Sequence, residues 1–435
     1  MAGPRPGHPD SGHSLASLNE SAGNKPGDNN WKFNSIMSPH RHSLFRWREI
    51  PRSVWALGLV SLFMDLSSEM IHALLPLYLV TVLGASTLTV GFIEGIAEAT
   101  ASITKIFSGA LSDYLGKRKL LAALGYGLAA FTKPIFPLAS SIVWLTAARF
   151  IDRIGKGIRG APRDALIADL TPSELRGNAF GLRQSLDTIG AVLGPLAAII
   201  FMAAFANNFT VVFWIAVAPA FVSLAVIVFL VHEPQQPPGS RAVHAPLSRA
   251  ELGRLGSRYW MIVSVAAIFT LARFSEAFLL LRAQSVGLHL AYVPAVMVLM
   301  NVVYSLSAWP AGALSDSIGR YSVLSIGFVL LMLADLVLAL GNSVSAIMIG
   351  VALWGLHMGL TQGLLAALVA DTAPAELRGT AFGMFNLVSG FALLAASILA
   401  GALWDQAGPS GTFFAGALIT AIALASLSLA RKRIF

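Results

Sequence analysis

The sequence has no cysteine and little charge: Asp, Glu, Lys and Arg make up 12% of its 435 residues. Without thiols there is no disulfide, no iron–sulfur cluster and no thiolate metal site, and the redox compartment stays open. Soluble domains are about a quarter charged, whereas 56% of this chain is hydrophobic. Folded in water, it would expose a large apolar surface. Catalytic signatures are missing as well. Neither a Walker A loop, a nucleophile elbow, a His-Glu-x-x-His pair nor a dinucleotide fingerprint occurs, so neither an enzyme nor a cofactor is expected.

What fills the chain is apolar runs. Crossing a hydrocarbon core takes about 20 residues, and runs of that order occupy 54–83, 88–112, 120–139, 142–158, 179–204 and 209–231. A second set occupies 259–281, 291–314, 321–340, 346–370, 381–403 and 412–430. The connections alternate in charge. One group carries Arg46, Arg48, Arg52, Lys117, Arg118, Lys119, Arg163, Arg176, Arg241, Arg249, Arg254, Arg258, Arg320, Arg378, Arg431, Lys432 and Arg433. The other group, at 84–87, 140–141, 207–208 and 341–343, has neither Lys nor Arg. Basic loops stay in the cytoplasm, which puts both termini there and requires an even number of crossings. Twelve satisfies that. The net charge of +8 is then topogenic, and no nucleic-acid partner is expected. The expected setting is the lipid bilayer of the inner membrane, with the protein acting as a monomer.

Residues 1–45, rich in Pro, Gly, Ser, Asn and His, lack the apolar core of a signal peptide and read as a disordered cytoplasmic arm. The irregular spacing of His8, His13, His40 and His42 supplies no metal site. Two six-helix bundles are expected at 54–231 and 259–430, joined by a cytoplasmic linker at 232–258 and followed by a basic tail at 431–435.

The halves repeat. Residues 165–181 match residues 367–383 at twelve of seventeen positions, and Gly109-Ala-Leu-Ser-Asp113 recurs as Gly312-Ala-Leu-Ser-Asp316. Each pair falls on one membrane side, as in a parallel repeat about an axis along the membrane normal. The segment Gly109-Ala-Leu-Ser-Asp-Tyr-Leu-Gly-Lys-Arg-Lys119 resembles the signature loop between helices 2 and 3 of the major facilitator superfamily, and Gly312 to Arg320 resembles its counterpart between helices 8 and 9. Arg153-Ile-Gly-Lys-Gly-Ile-Arg-Gly-Ala161 is similar to the Arg- and Gly-containing motif on helix 4. Gly190-Ala-Val-Leu-Gly-Pro195 resembles the helix 5 motif of the family's antiporters. The resemblance covers about residues 54–430. It implies an all-α integral membrane fold, twelve helices in two bundles related by a pseudo-twofold axis, and proton-coupled transport of a small molecule.

The loop chemistry stands without the family. Asp113 at a helix end can meet a neighbouring helix N-terminus or the Arg118 guanidinium, with Gly109 and Gly116 permitting close approach and a tight turn. The duplicate uses Gly312, Asp316, Gly319 and Arg320. Such clusters are candidate latches of the cytoplasmic gate. Gly190, Gly194 and Pro195 would let helix 5 pack closely and bend; simple packing explains them equally well, so antiport rests on the resemblance.

Ionisable groups at membrane depth are costly and usually functional, and they concentrate in the first half. Asp65, Glu69 and His72 share one face of the first span. Glu94 and Glu98 lie one turn apart on the second, and Arg149, Asp152, Arg153 and Lys156 form a basic stripe on the fourth. The second half has Arg273 and Glu276, with Asp335 and His357 further on. An acidic stripe facing a basic stripe suits a proton-coupled carrier. Arg153 matches the family's coupling arginine, and Asp65 or Glu69 is its expected partner, ahead of Glu94 and Glu98. A static salt-bridge network is the alternative. Three cargoes fit: an amphiphilic organic molecule exported against protons, a metal cation held by the carboxylates and His72, or an organic anion held by Arg149, Arg153 and Arg273. A non-transporting receptor on the same scaffold is the fourth reading.

Overall fold

The computed structural model describes residues 49–172, 175–233, 252–374 and 377–434. The arm with its four histidines, Arg46, Arg48 and most of the 232–258 linker, including Arg241 and Arg249, lie outside the described residues. So do the side chains of Asp113, Asp316, Arg378 and Arg433.

Among the described residues every regular element is helical. We number the main helices α1 (Arg52–Thr81), α2 (Thr87–Leu115), α3 (Arg118–Leu138), α4 (Ile142–Leu170), α5 (Arg176–Ala204) and α6 (Phe209–Leu230). The second half has α7 (Ser257–Ser285), α8 (Ala295–Ile318), α9 (Arg320–Leu340), α10 (Val344–Thr372), α11 (378–407) and α12 (409–434). The last two are separated by Gly408, which takes a positive φ of 73°. Nine stretches among the described residues are long and apolar enough to cross a membrane, with α11 and α12 counted as one. The two helices outside that set are α2, with Glu94 and Glu98, and α4, the most densely charged of the twelve. Twelve helices result.

Three of the expected spans are broken. In α1 the first segment ends at His72 and a second starts at Leu75. Pro76 has no N–H to give the carbonyl four residues back, so the ladder stops there. Pro134 divides α3 in the same way after Thr132. Segment 273–276 interrupts α7 with no proline or glycine; there the Ser275 amide donates to Ser397 Oγ on α11 at 3.2 Å, and the Ala277 amide to Ser275 Oγ at 3.2 Å. Side-chain oxygens thus replace the missing helical acceptors. The fourth helix also runs to Leu170, well past the expected end at 158.

The packing pattern repeats between halves. α1 lies on α5 and α6, α2 on α4, and α3 on α4 and α6; α7 lies on the last two helices, α8 on α10, and α9 on α10 and the last two. The halves meet through α2 against α11 and α5 against α8. A Cβ at Gly91 of α2 would stand 2.1 Å from the Ser397 carbonyl oxygen, so the two backbones are in direct contact. At the start of α2, Asp405 of α11 accepts hydrogen bonds from the Thr87 amide (3.2 Å), the Leu88 amide (3.0 Å) and the Thr87 hydroxyl. A carboxylate from one half caps a helix N-terminus of the other, where the dipole favours an anion. This clamps the end with uncharged loops.

A methyl group at Gly91 has nowhere to go. Gly91→Ala is expected to lower the thermal midpoint in detergent, at an overpacking cost of about 1–3 kcal/mol. Gly181→Ala, with open space around its Cβ, serves as the control and should leave the midpoint in place or raise it.

Candidate functional site

The breaks in α1 and α7 occupy corresponding positions of the two halves, and interrupted helices in matched positions mark midplane binding sites. Between them lies a cavity of about 290 Å³. From the first half it is lined by Glu69, His72, Glu94, Glu98, Arg153, Lys156 and Ala191. The second half supplies Thr270, Arg273, Phe274, Ser275, Glu276, Met297, Asn301, Trp354 and Leu393.

The stripes of α1, α2 and α4 face each other. Arg149 donates to Glu94 Oε2 at 2.7 Å, and the same oxygen lies 3.5 Å from His72 Nε2. His72 Nδ1 is 3.3 Å from Glu69 Oε2. A ring with a carboxylate on each side is satisfied when both nitrogens carry hydrogen. Glu94 is completely buried, and among the described residues these two neighbours answer its charge. Arg153 pairs with Glu98 at 3.2 Å and touches Asp152 at 3.9 Å. Asp152 also accepts from Lys133 at 2.9 Å, and the ammonium donates to Ser68 at 3.0 Å. Lys133 sits at the α3 break, which it ties to α1 and α4.

Several expected positions differ. The partner of Arg153 is Glu98, not Asp65 or Glu69. The reason is geometric: α2 packs directly on α4, while α1 packs mainly on α5 and α6. Asp65 lines a second cavity of about 120 Å³ with Gln184, Asp187, Thr188, Tyr304 and Ser305, and this shares Ala191 and Asn301 with the first. No ion pair or hydrogen bond of the Asp65 side chain is formed among the described residues. Gly190 and Gly194 lie against that same stripe: a Cβ at Gly190 would stand 3.1 Å from Asp65 Cβ, and one at Gly194 2.7 Å from Glu69 Cβ. The α5 motif therefore brings α5 onto the acidic face of α1, and Pro195 lies within the helix.

At the gate motifs, Arg118 contacts Asp169 at 2.5 Å and the Ala165 carbonyl at 2.8 Å. Arg320 pairs with Asp371. These are equivalent pairs, since Asp169 and Asp371 occupy the same place in the 165–181 and 367–383 repeat. Each loop arginine is held by the end of α4 or α10 in its own half. Gly116 and Gly319 take the positive φ of a helix-ending turn, and the Gly312 Cβ direction is open space.

Sequence reasoning missed Thr270, Ser275, Asn301 and Ser397. Of these only Asn301, an amide in the middle of an apolar run, gave a signal; its Nδ2 donates to the Ala191 carbonyl across the halves at 3.3 Å. In the second half, Asp335 and His357 are fully buried, and neither Asp335 oxygen nor either His357 nitrogen has a hydrogen-bond partner among the described residues.

The Major Facilitator Superfamily profile matches residues 57–303 and again 264–433. The chain belongs to the major facilitator superfamily. It is 35% identical over 383 residues to an MFS-type transporter of Methanocaldococcus jannaschii, covering 86% of this chain and 94% of the relative. A shorter stretch, 32% identical over 143 residues, covers 31% of this chain and 34% of the multidrug resistance protein MdtH of Photorhabdus laumondii. The fold is similar to the crystal structure of the nucleoside transporter NupG, with a TM-score of 0.74 at 14% identity, covering 87% of this chain and 99% of that one. This superfamily member is a multi-pass membrane transporter acting on a small molecule.

The burial difference between two glutamates gives a stability test. Glu94→Gln leaves Arg149 and His72 facing a neutral group and should cost about 3–5 kcal/mol. Glu98, whose side chain keeps 31% of its exposure, should cost clearly less as Glu98→Gln. Thermal unfolding of both variants in one detergent checks the order.

Proposed function

We propose that this transporter is a proton-coupled exporter of a small molecule, working by alternating access, with both termini in the cytoplasm of a cell whose inner membrane it spans. The observation that carries the reading is the cavity at the matched breaks of α1 and α7, lined from both halves by ionisable groups. A rocking motion of the halves re-exposes such a site to either side, and groups at its wall trade partners as it moves. Asp65 is the proton carrier in this scheme. Its carboxylate is unpaired among the described residues, and its small cavity adjoins the large one through Ala191 and Asn301. Arg153, held between Glu98 and Asp152, sets the charge state of the cavity wall. The similarity to MdtH and the α5 glycine motif favour export over import.

The metal-cation reading is the weaker one. Glu69, His72 and Glu94 do meet, but Arg149 closes the set, and a guanidinium beside the ligands repels a cation. The static-network reading fits Lys133 and Asp152, which do not line the cavity. It does not account for Asp65.

Purified protein in liposomes with an internal pH dye tests the coupling. Across a panel of organic solutes, at least one should drive proton movement, and Asp65→Asn and Arg153→Ala should each cut that rate at least about tenfold. Variants as active as the wild type would sink the coupling scheme.

A further inference from the structure

The charges lining the cavity fall into two groups. Glu94 is matched by Arg149 and His72, Glu69 by His72, and Glu98 by Arg153. Three ionic groups are left over. Lys156, Arg273 and Glu276 form no ion pair or side-chain hydrogen bond among the described residues, although Arg273 and Glu276 are three positions apart. Arg273 Nε is buried without a hydrogen-bond partner. Unanswered charge at membrane depth is expensive, and polar groups kept there serve a ligand or a pathway.

Their placement is informative. Lys156 comes from α4 in the first half; Arg273 and Glu276 bracket the α7 break in the second. The wall between them is apolar, with Phe274 packed on Trp354 at a ring-centroid distance of 5.4 Å. Two cations and one carboxylate therefore surround a small, partly aromatic space near the lower end of ligand-pocket sizes, about 300 Å³.

We infer that the cargo is a small zwitterion: an anionic group, such as a carboxylate, taken by Arg273 and Lys156, and an ammonium taken by Glu276, around a compact apolar body. This deepens the transport reading above and rests on it. A carboxylate offers the guanidinium a paired, charge-assisted contact. Because the two cations come from opposite halves, the anionic group draws the halves together over the cargo. A solute with a positive charge alone answers Glu276 and leaves two cations facing each other. One with a negative charge alone leaves the half-buried Glu276 without a partner. Either mismatch leaves a charge of the cavity wall unanswered in a partly desolvated space.

Matched triads of probes test it on the full-length protein in detergent, read by thermal shift. Phenylalanine, phenethylamine and 3-phenylpropionate share one body and carry both charges, the positive one or the negative one; leucine, isoamylamine and 4-methylvalerate form an aliphatic set. In at least one triad the zwitterion should stabilise at a concentration about tenfold or more below either partner. Arg273→Gln should erase the advantage over the amine, and Glu276→Gln the advantage over the acid, each leaving the midpoint without ligand at or above that of the wild type. Equal or stronger binding of a singly charged partner, or no zwitterion preference in either triad, overturns the inference. The liposome assay separates the two readings: proton movement driven by a singly charged solute keeps the transporter and discards the zwitterion. Tight zwitterion binding without proton movement keeps the cargo class and discards the coupling.

Discussion

A carboxylate withdrawn completely from water inside a membrane protein must have its charge answered by the protein, because hydrocarbon answers nothing. Glu94 is that group. Its oxygen is held by Arg149 from α4 and faced by His72 from α1, so three helices are bound to one position. Asp152 repeats the arrangement one turn away, with Lys133 and Arg153. Charges on α4 cannot face lipid, so they dictate which side of that helix turns inward. The side chosen also aligns Arg153 and Lys156 with the cavity. The first half is thus oriented by electrostatics as much as by packing.

The second half repeats the backbone but not the charges. Its break in α7 matches that in α1, and Arg320–Asp371 matches Arg118–Asp169. Around the equivalent depth, however, stands an aromatic group, with Phe269 stacked on Phe328 at 4.0 Å and Trp354 edge-on to His357 at 5.4 Å. One half holds a rigid ionic network and the other an apolar wall with three unmatched neighbours, Arg273, Glu276 and, opposite, Lys156. A cavity between unlike walls can recognise a cargo by charge on one side and by shape on the other. The direct α2–α11 backbone contact and the Asp405 cap hold the halves together at one end while the gate arginines at the other are tied within their own halves.

Much of this was legible beforehand. Span number came from length and loop charge, the two-fold repeat from residues 165–181 and 367–383, and the stripes on α1, α2 and α4 from spacing of three and four residues. The break at Pro76 had a visible cause. The break in α7 had none, because Ser275 and Ser397 stabilise it through a contact between residues 122 positions apart in sequence. The ion pair of Arg153 with Glu98, rather than with a carboxylate of α1, was hidden for a similar reason: spacing says which residues share a face, not which neighbour that face meets.

Twelve spans in two repeated halves, with the ionisable groups gathered in the first, follow from composition and period and need no knowledge of neighbours. Transport is implied by the resemblance of the loop and helix motifs to those of the superfamily. Which charges cancel and which are left over depends on the tertiary packing. Coulomb energy at low dielectric depends on separations of a few ångströms, and those are set by helix rotation. Glu94 and Glu98, one turn apart and alike in sequence, became a sealed anchor and a half-open wall of the cavity because α2 turned one toward Arg149 and His72 and the other toward Arg153 and the open space.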